Sequence, residues 1–321
     1  MIIKALGKDG HDEYEAHVRK YGTVFNSLSW LSLFGDKVSV YGIYSNNQEL
    51  IGGFCIYRKT KFGLSVYCMP PFTPEVGPFM KIDAKNTSHI ADSWKEAVSL
   101  IADFIEGLPY SIVAIALNVH VRDTQPFIWK KFKVAPGYTY IIDLNQPPEQ
   151  LWGNLSKKHR HDVNKAVRDG LVAKQICDMR IVRDLCIKTF ARQGKEINTL
   201  DLDKILFGFS SPDNSYAFAT FDGGVPIAAS FYVYDRSASY AIIGGYDHEK
   251  KHHGAGTLAD WEGILHARKL GLASFDFEGS MIPGIEKYFR GFGGQLTPYF
   301  RVNKAVLPLE VALKFVRRDL F

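Results

Sequence analysis

Cysteine is scarce in this chain: Cys55, Cys68, Cys177 and Cys186 are the 4 in 321 residues, and they form no CxxC pair and no zinc-ligand spacing. That excludes a disulfide-stapled secreted scaffold and gives no reason to expect a metal; reduced core thiols of a cytoplasmic protein are the expectation. No apolar run approaches the roughly 18 residues that a spanning helix needs, and the opening MIIKALGKDGHDEY has no apolar signal segment. Neither a membrane span nor secretion is predicted. Charge of one sign is also in short supply. A formal net charge of +5 suits a partner carrying a few phosphates or carboxylates better than one gripped along many backbone phosphates. No Ser-His-Asp or Cys-His constellation is visible, which argues against a covalent intermediate.

What is present is globular, with 46% hydrophobic and 23% charged residues and a rich 13% aromatic content. The length has room for two domains. VSVYGIYSN, LIGGFCIYRKTK and GLSVYCM read as successive strands, followed by a helix over about 88–106, the strand SIVAIALN, a short helix and the strand YTYIIDL. NQPPEQ marks a boundary, giving domains 1–145 and 146–321. The second half repeats the order. Its strands SYAFATF, PIAASFYVY and SYAIIGGY lead into a helix over about 255–270, then ASFDFEG, a short helix, QLTPYFRV and a last helix. The hairpin NNQELIGGFCIY corresponds to DGGVPIAASFYVY, so the fold class is α+β, a duplicated unit with an antiparallel meander feeding one strand–helix–strand crossover.

LSKKHRHDVNKAVRDG, at residues 155–170, carries the densest run of cations. Advancing about 100° per residue puts Leu155, Val163, Ala166 and Val167 on an inward stripe and Lys157, His161, Lys165 and Arg168 on a solvated face. His159 and Arg160 fall on or beside the stripe. His159 reads as a satisfied core histidine. An inward guanidinium is costly unless it meets an anion. Arg160 therefore either pairs internally with Asp276 or Glu278, or presents its fork to a phosphate or carboxylate of a substrate.

In GGYDHEKKHHGAGTLADWEGILHARKLG a strand end and a basic loop run into Gly254, Gly256 and a helix start, an arrangement whose amides can hold an anion. Lys251, Gly254 and Gly256 give K-x-x-G-x-G, which resembles the Q/R-x-x-G-x-G/A loop of the GNAT acyltransferases and implies a seat for the pyrophosphate of acyl-coenzyme A. The same residues read as GxGxxA with Asp276 some twenty residues on, a dinucleotide fingerprint. The loop between strand and glycine and the antiparallel meander before it count against that reading.

FDFEGSMIPGIEKYFRGFGGQLTPYFR narrows the choice. Asp276, Glu278 and Gly279, then Lys287, Tyr288 and Arg290, then Phe292-Gly293-Gly294, resemble the D-F-G-G…Y-K-x-x-F-G-G signature of the FemAB-like acyltransferases. SKKHRHDVNKA resembles their S-K-x-x-R-x-x-I-x-K-A segment and FNSLSW their F-x-S-x-x-W. The resemblance implies tandem GNAT-like domains and transfer of an acyl or aminoacyl group to an amine of an anionic acceptor, often a peptidoglycan precursor bearing a nucleotide sugar. It implies acyl-coenzyme A or aminoacyl-tRNA as co-substrate, with no permanently bound cofactor, and a cytoplasmic place of work. Asp276 and Glu278 are the candidate proton acceptors, Lys287 and Arg290 the candidate charge stabilisers, and Tyr246 and Tyr288 the candidate acceptor contacts. Glu278 stands where the family commonly has glycine, and no segment is long enough for the coiled-coil arm of members that use tRNA. Loss of transfer, leaving a binding module for an anionic ligand, is the alternative; an RNA-binding role for Lys157–Lys165 is another.

Overall fold

The computed structural model describes residues 1–250, 252–318 and 320–321. The chain forms two compact units, Met1–Gly137 with Pro298–Phe321, and Tyr138–Thr297. In chain order the elements are β1 (Ile2–Ala5), α1 (His11–Tyr21), α2 (Leu28–Leu31), β2 (Val38–Tyr44), β3 (Leu50–Lys61), β4 (Leu64–Cys68), β5 (Phe79–Met80), α3 (Thr87–Glu106), β6 (Ile112–Ala116), α4 (Gln125–Trp129) and β7 (Lys133–Asp143). There follow α5 (Pro148–Asn154), α6 (Lys157–Arg168), β8 (Val172–Ile176), α7 (Met179–Arg192), α8 (Thr199–Asp203), β9 (Ser215–Asp222), β10 (Val225–Tyr234) and β11 (Ala238–Tyr246). The chain closes with α9 (Ala255–Lys269), β12 (Ser274–Asp276), α10 (Pro283–Arg290), β13 (Gln295–Ala305) and α11 (Leu307–Val316).

In the first unit β1, β2, β3 and β4 pair antiparallel in sequence order; α3 then crosses to β6, which lies parallel to β4. In the second, β8, β9, β10 and β11 pair antiparallel and α9 crosses to the parallel β12. The duplication expected from the sequence is seen in the order and pairing of the strands, apart from the short β5 beside β3, and the matched hairpins are β2–β3 and β9–β10. Each crossover helix carries the pattern its place demands. α3 is capped by the Asn86 side chain on the Ser88 amide and buries Ala97, Val98, Ile101, Ala102 and Ile105, one face at helical spacing. α9 is buried nearly all round, from Ala255 and Leu258 to Ile264 and Ala267. Along β10, Ser230 and Tyr232 turn toward α9, while Gly245 of β11, opposite Ala229, lies under α7, where a Cβ would stand 2.4 Å from the Cys186 amide nitrogen. Helices on both faces explain why β10 is buried almost continuously instead of alternately.

The last strand of each unit comes from an unexpected place. β7 follows the first unit's crossover, yet Ile141–Asp143 pair with Asp276–Ser274 of β12 in the second. β13 follows the second unit's crossover, yet Arg301–Ala305 pair with Ala116–Ile112 of β6 in the first. The sequence reading divides the chain once, after residue 145, and leaves the tail with the second half. The compact units instead change within β7 and β13, because each sheet is closed by the other half's final strand. Hydrophobic pattern marks a strand but does not name its partner.

Candidate functional site

The two segments that carry the family resemblance interlock. α6 starts at Ser156, whose hydroxyl accepts from the His159 amide, and the Ser156 amide donates to the Gly291 carbonyl at 2.8 Å. The His159 ring, 3% exposed, lies between Tyr288 and Phe292, with centroids 5.3 and 4.6 Å away. Gly291 makes that possible: a Cβ there would meet His159 Cε1 at 2.2 Å. Gly293 has φ +79 and faces the Asn154 carbonyl, which a Cβ would meet at 2.4 Å. The Phe-Gly-Gly motif is thus a packing surface for α5 and α6.

His159 is a core histidine as expected, but only Nδ1 has a partner, the Ser156 hydroxyl at 3.2 Å; Nε2 is buried without one among the described residues. Burial, and secondarily Lys158, lower its pKa, so the ring is neutral. Arg160 does not make the ion pair anticipated with Asp276 or Glu278. Its Nη1 donates to the Gly153 and Leu155 carbonyls at 2.8 and 2.6 Å, closing the C-terminal end of α5. The other guanidinium nitrogens have no partner among the described residues. Val167, assigned to the inward stripe, is 59% exposed, because α6 is in its last turn there.

Around β12 the chain opens. β11 and β12 pair only through Ala238–Ser274, Ser239–Phe275 and Tyr240–Asp276, so β11 runs on from Ala241 to Tyr246 without that neighbour. At the end of β12, Asp276 is 6% exposed; its Oδ1 accepts from the Thr139 hydroxyl and, at 2.8 Å, from the Glu278 amide. Both bonds fall on Oδ1, leaving Oδ2 available. Burial pushes its pKa up to about 6, against the opposing pull of those two donors. Glu278 has φ +59, in the left-handed region that favours glycine, which is the residue the family commonly carries there. The Gly279 amide donates to Thr139 Oγ1 at 3.1 Å, tying the turn back to β7.

Gly254 and Gly256 serve different ends. A Cβ on Gly254 would stand 2.1 Å from the Asp162 carbonyl oxygen of α6, so this glycine is required by helix packing. At Gly256 the nearest atom would be the Tyr288 hydroxyl at 3.4 Å, ordinary contact. α9 has no side-chain cap, and the Gly256 and Thr257 amides have no acceptor among the described residues. The loop before α9 is held by Tyr246, whose hydroxyl accepts from the His252 amide at 2.8 Å, and by His252, whose Nε2 lies 3.1 Å from Asp169 Oδ2. Lys251 lies outside the described residues.

α10 has two faces. Tyr288 turns inward and donates its hydroxyl to Asp260 Oδ2 at 2.6 Å, while Tyr232 donates to Oδ1 at 2.7 Å. Asp260 is buried on α9, with a pKa raised by burial despite these donors. Lys287 is exposed with no partner among the described residues, and Arg290 pairs with Glu286 at 3.1 Å. Glu286 also accepts from Tyr140 at 2.7 Å. Asp260 and Thr139 were not singled out from the sequence. For Asp260 the signal was there: it shares its helix face with Ile264 and Ala267, an acid at i where i+4 and i+7 are core. Thr139 gives no such sign.

An unzipped β11–β12 edge, an uncapped crossover helix and a buried carboxylate beside them converge with sequence comparison. Residues 209–290 match the acetyltransferase (GNAT) domain family. The matched stretch lies wholly within the second unit. Among solved structures it is similar over 98% of its length to FemX, all of which is covered, at 12% identity and a TM-score of 0.69. L-PGS from Bacillus licheniformis matches 96% of this chain with 96% of its own, at 14% identity and a TM-score of 0.56. A tandem GNAT protein from the clavulanic acid biosynthesis pathway matches 94% with 96% of its own, at 11% identity and a TM-score of 0.53. At these identities the likeness is one of fold, a tandem GNAT fold of mixed, largely antiparallel sheet flanked by helices. Among curated protein sequences none matches. No helix among the described residues is long and apolar enough to cross a membrane, and the described residues hold no cluster of metal-ligating side chains.

Proposed function

We propose that the second unit transfers an acyl or aminoacyl group from an activated donor to the amine of an anionic acceptor, with Asp276 as the proton acceptor. The observation that carries this is the carboxylate's situation: one oxygen is anchored, the other is available, and the pKa of about 6 leaves it ionised yet basic near neutrality. The donor lies along the free edge of β11, its phosphates against the unsatisfied amides of Gly256 and Thr257, which favours acyl-coenzyme A. Acceptor nitrogen attacks the thioester carbonyl, Asp276 removes the nitrogen's proton, the carbon–sulfur bond breaks and the thiolate leaves to be protonated. Lys287 and the uncommitted nitrogens of Arg160 supply positive charge for the acceptor's phosphate or carboxylate, and Arg290 reinforces it once released from Glu286. Tyr246 and Tyr288 act by holding the donor loop and α10, since both hydroxyls are already engaged. The resemblance of the chain's motifs to the FemAB-like acyltransferases makes a peptide- or sugar-linked amine from cell-wall synthesis the first acceptor to try, with the cytoplasm as the expected place of work. Aminoacyl-tRNA is the second donor to try.

The test is thiol release from acetyl- and longer acyl-coenzyme A in the presence of amino acids, amino sugars and nucleotide-linked peptides. Release that depends on an anionic amine and is lost in Asp276→Asn is expected. Acyl-coenzyme A that binds and is never consumed, with aminoacyl-tRNA equally inert, would make the chain a binding module instead.

A further inference from the structure

The first unit holds a cavity of about 280 Å³ between α3 and the segment that follows β6. Its apolar wall is Ala91, Trp94 and Val98, one helical face at i, i+3 and i+7, together with Val121. Its polar wall is His120, Arg122 and Asp123. Asp123 is already matched, by Lys95 Nζ at 2.5 Å and by the Gln125 amide at 3.0 Å. Arg122 has no partner among the described residues, so it is the one uncompensated charge on the wall. Burial, then the Arg122 charge, lowers the His120 pKa, which leaves a neutral ring beside the guanidinium.

The polar wall is held by buried groups with no other evident duty. Asn118, 6% exposed, donates through Nδ2 to buried Glu75 at 3.0 Å and accepts from the His120 amide at 2.9 Å. Its backbone amide bonds the Gly77 carbonyl and its carbonyl takes the Val121 amide. Glu75 is fixed in turn by the Thr23 hydroxyl at 2.8 Å and the Gly77 amide at 2.7 Å. A chain of satisfied buried polar groups therefore ends in a stiff turn that presents His120–Arg122 over an open tryptophan face. That is the preorganisation a binding site requires.

We propose that this cavity binds a small organic carboxylate, an aromatic or branched apolar body packed on Trp94 and Val98 with its carboxylate on Arg122. The volume, at the lower end of the small-ligand range, accommodates one ring and a short chain. A single guanidinium fork beside a neutral imidazole matches a monoanion's two oxygens. The site is independent of the acyl-transfer chemistry of the second unit.

3-Phenylpropionate, 3-phenylpropanamide and inorganic phosphate, titrated into the full chain by calorimetry with the Trp94 indole followed by NMR, test this. Saturable binding of the acid that moves the Trp94 signal is expected, with the amide at least about tenfold weaker and phosphate without effect, tenfold being about 1.4 kcal/mol. Arg122→Gln brings the acid down to the amide's affinity at unchanged melting temperature. Trp94→Ala weakens both, and Asp276→Asn changes neither, which separates this site from the transfer site. No saturable binding, an amide as tight as the acid, phosphate that competes equally, or Arg122→Gln with wild-type affinity would each overturn the proposal.

Discussion

At the scale of the residue, the proton-acceptor role proposed for Asp276 comes with a signature in stability. Its folded pKa, about 6, lies above the ordinary carboxylate value near 3.8. The native state therefore holds its proton where the unfolded chain has lost it, and stability falls as pH rises from about 4 through about 6. The full cost, on the order of 3 kcal/mol for a shift of this size, is present above that window. Asp276→Asn should flatten urea-unfolding stability between pH 4 and 6 while lowering kcat by about 10²–10⁴-fold, the usual worth of a general base. An unchanged pH slope would mean the carboxylate is not the buried acid described. Gly291 gives a second residue-level test. Gly291→Ala puts a methyl into the His159 ring and should cost about 1–3 kcal/mol. His159→Ala in the same chain should recover part of that loss, since the two share one space. Sequence alone picked out His159 as a core histidine and passed over Gly291, because the reason for that glycine, a ring laid on a bare backbone, is a contact between segments far apart in the chain.

At the scale of the element, α9 shows how much a pattern can mislead about purpose. Its two leading glycines read as a single anion-binding loop. The structure separates them: Gly254 is consumed by the approach of α6, and Gly256 keeps free amides. Gly254→Ala should therefore lower the midpoint of thermal unfolding by several degrees, consistent with a strained backbone contact costing about 1–3 kcal/mol. Gly256→Ala should hold the wild-type midpoint and raise KM for acyl-coenzyme A. Equal melting temperatures for the two variants would refute the division. α6 teaches the same lesson in reverse. The 100° rotation correctly put Lys157, His161, Lys165 and Arg168 outward and His159 inward. It failed for Val167 at the fraying end, and it did not foresee that Arg160 would find carbonyls of α5 in place of an anion. Periodicity describes one helix; it is silent about which neighbour offers an acceptor.

At the scale of the whole chain, the order of elements was legible in each half because meander and crossover are written locally, in turns and hydrophobic spacing. The exchange of closing strands was not, since β7 and β13 have equally plausible partners in either half until the sheets are built. A chain cut after residue 297 should accordingly leave β6 without Arg301–Ala305 and uncover the space filled by Val302 and Ala305. Its first unit should lose cooperative unfolding, while hydrogen exchange in β9 and β10 stays protected. Protection retained at Ile112–Ala116 would show that the tail is dispensable. During synthesis the same feature imposes a wait: β6 emerges from the ribosome long before the strand that will cover it. Until β13 has followed, that edge is a bare row of amides and carbonyls, open to a neighbouring nascent chain on the same message, so chains stopped before β13 should aggregate.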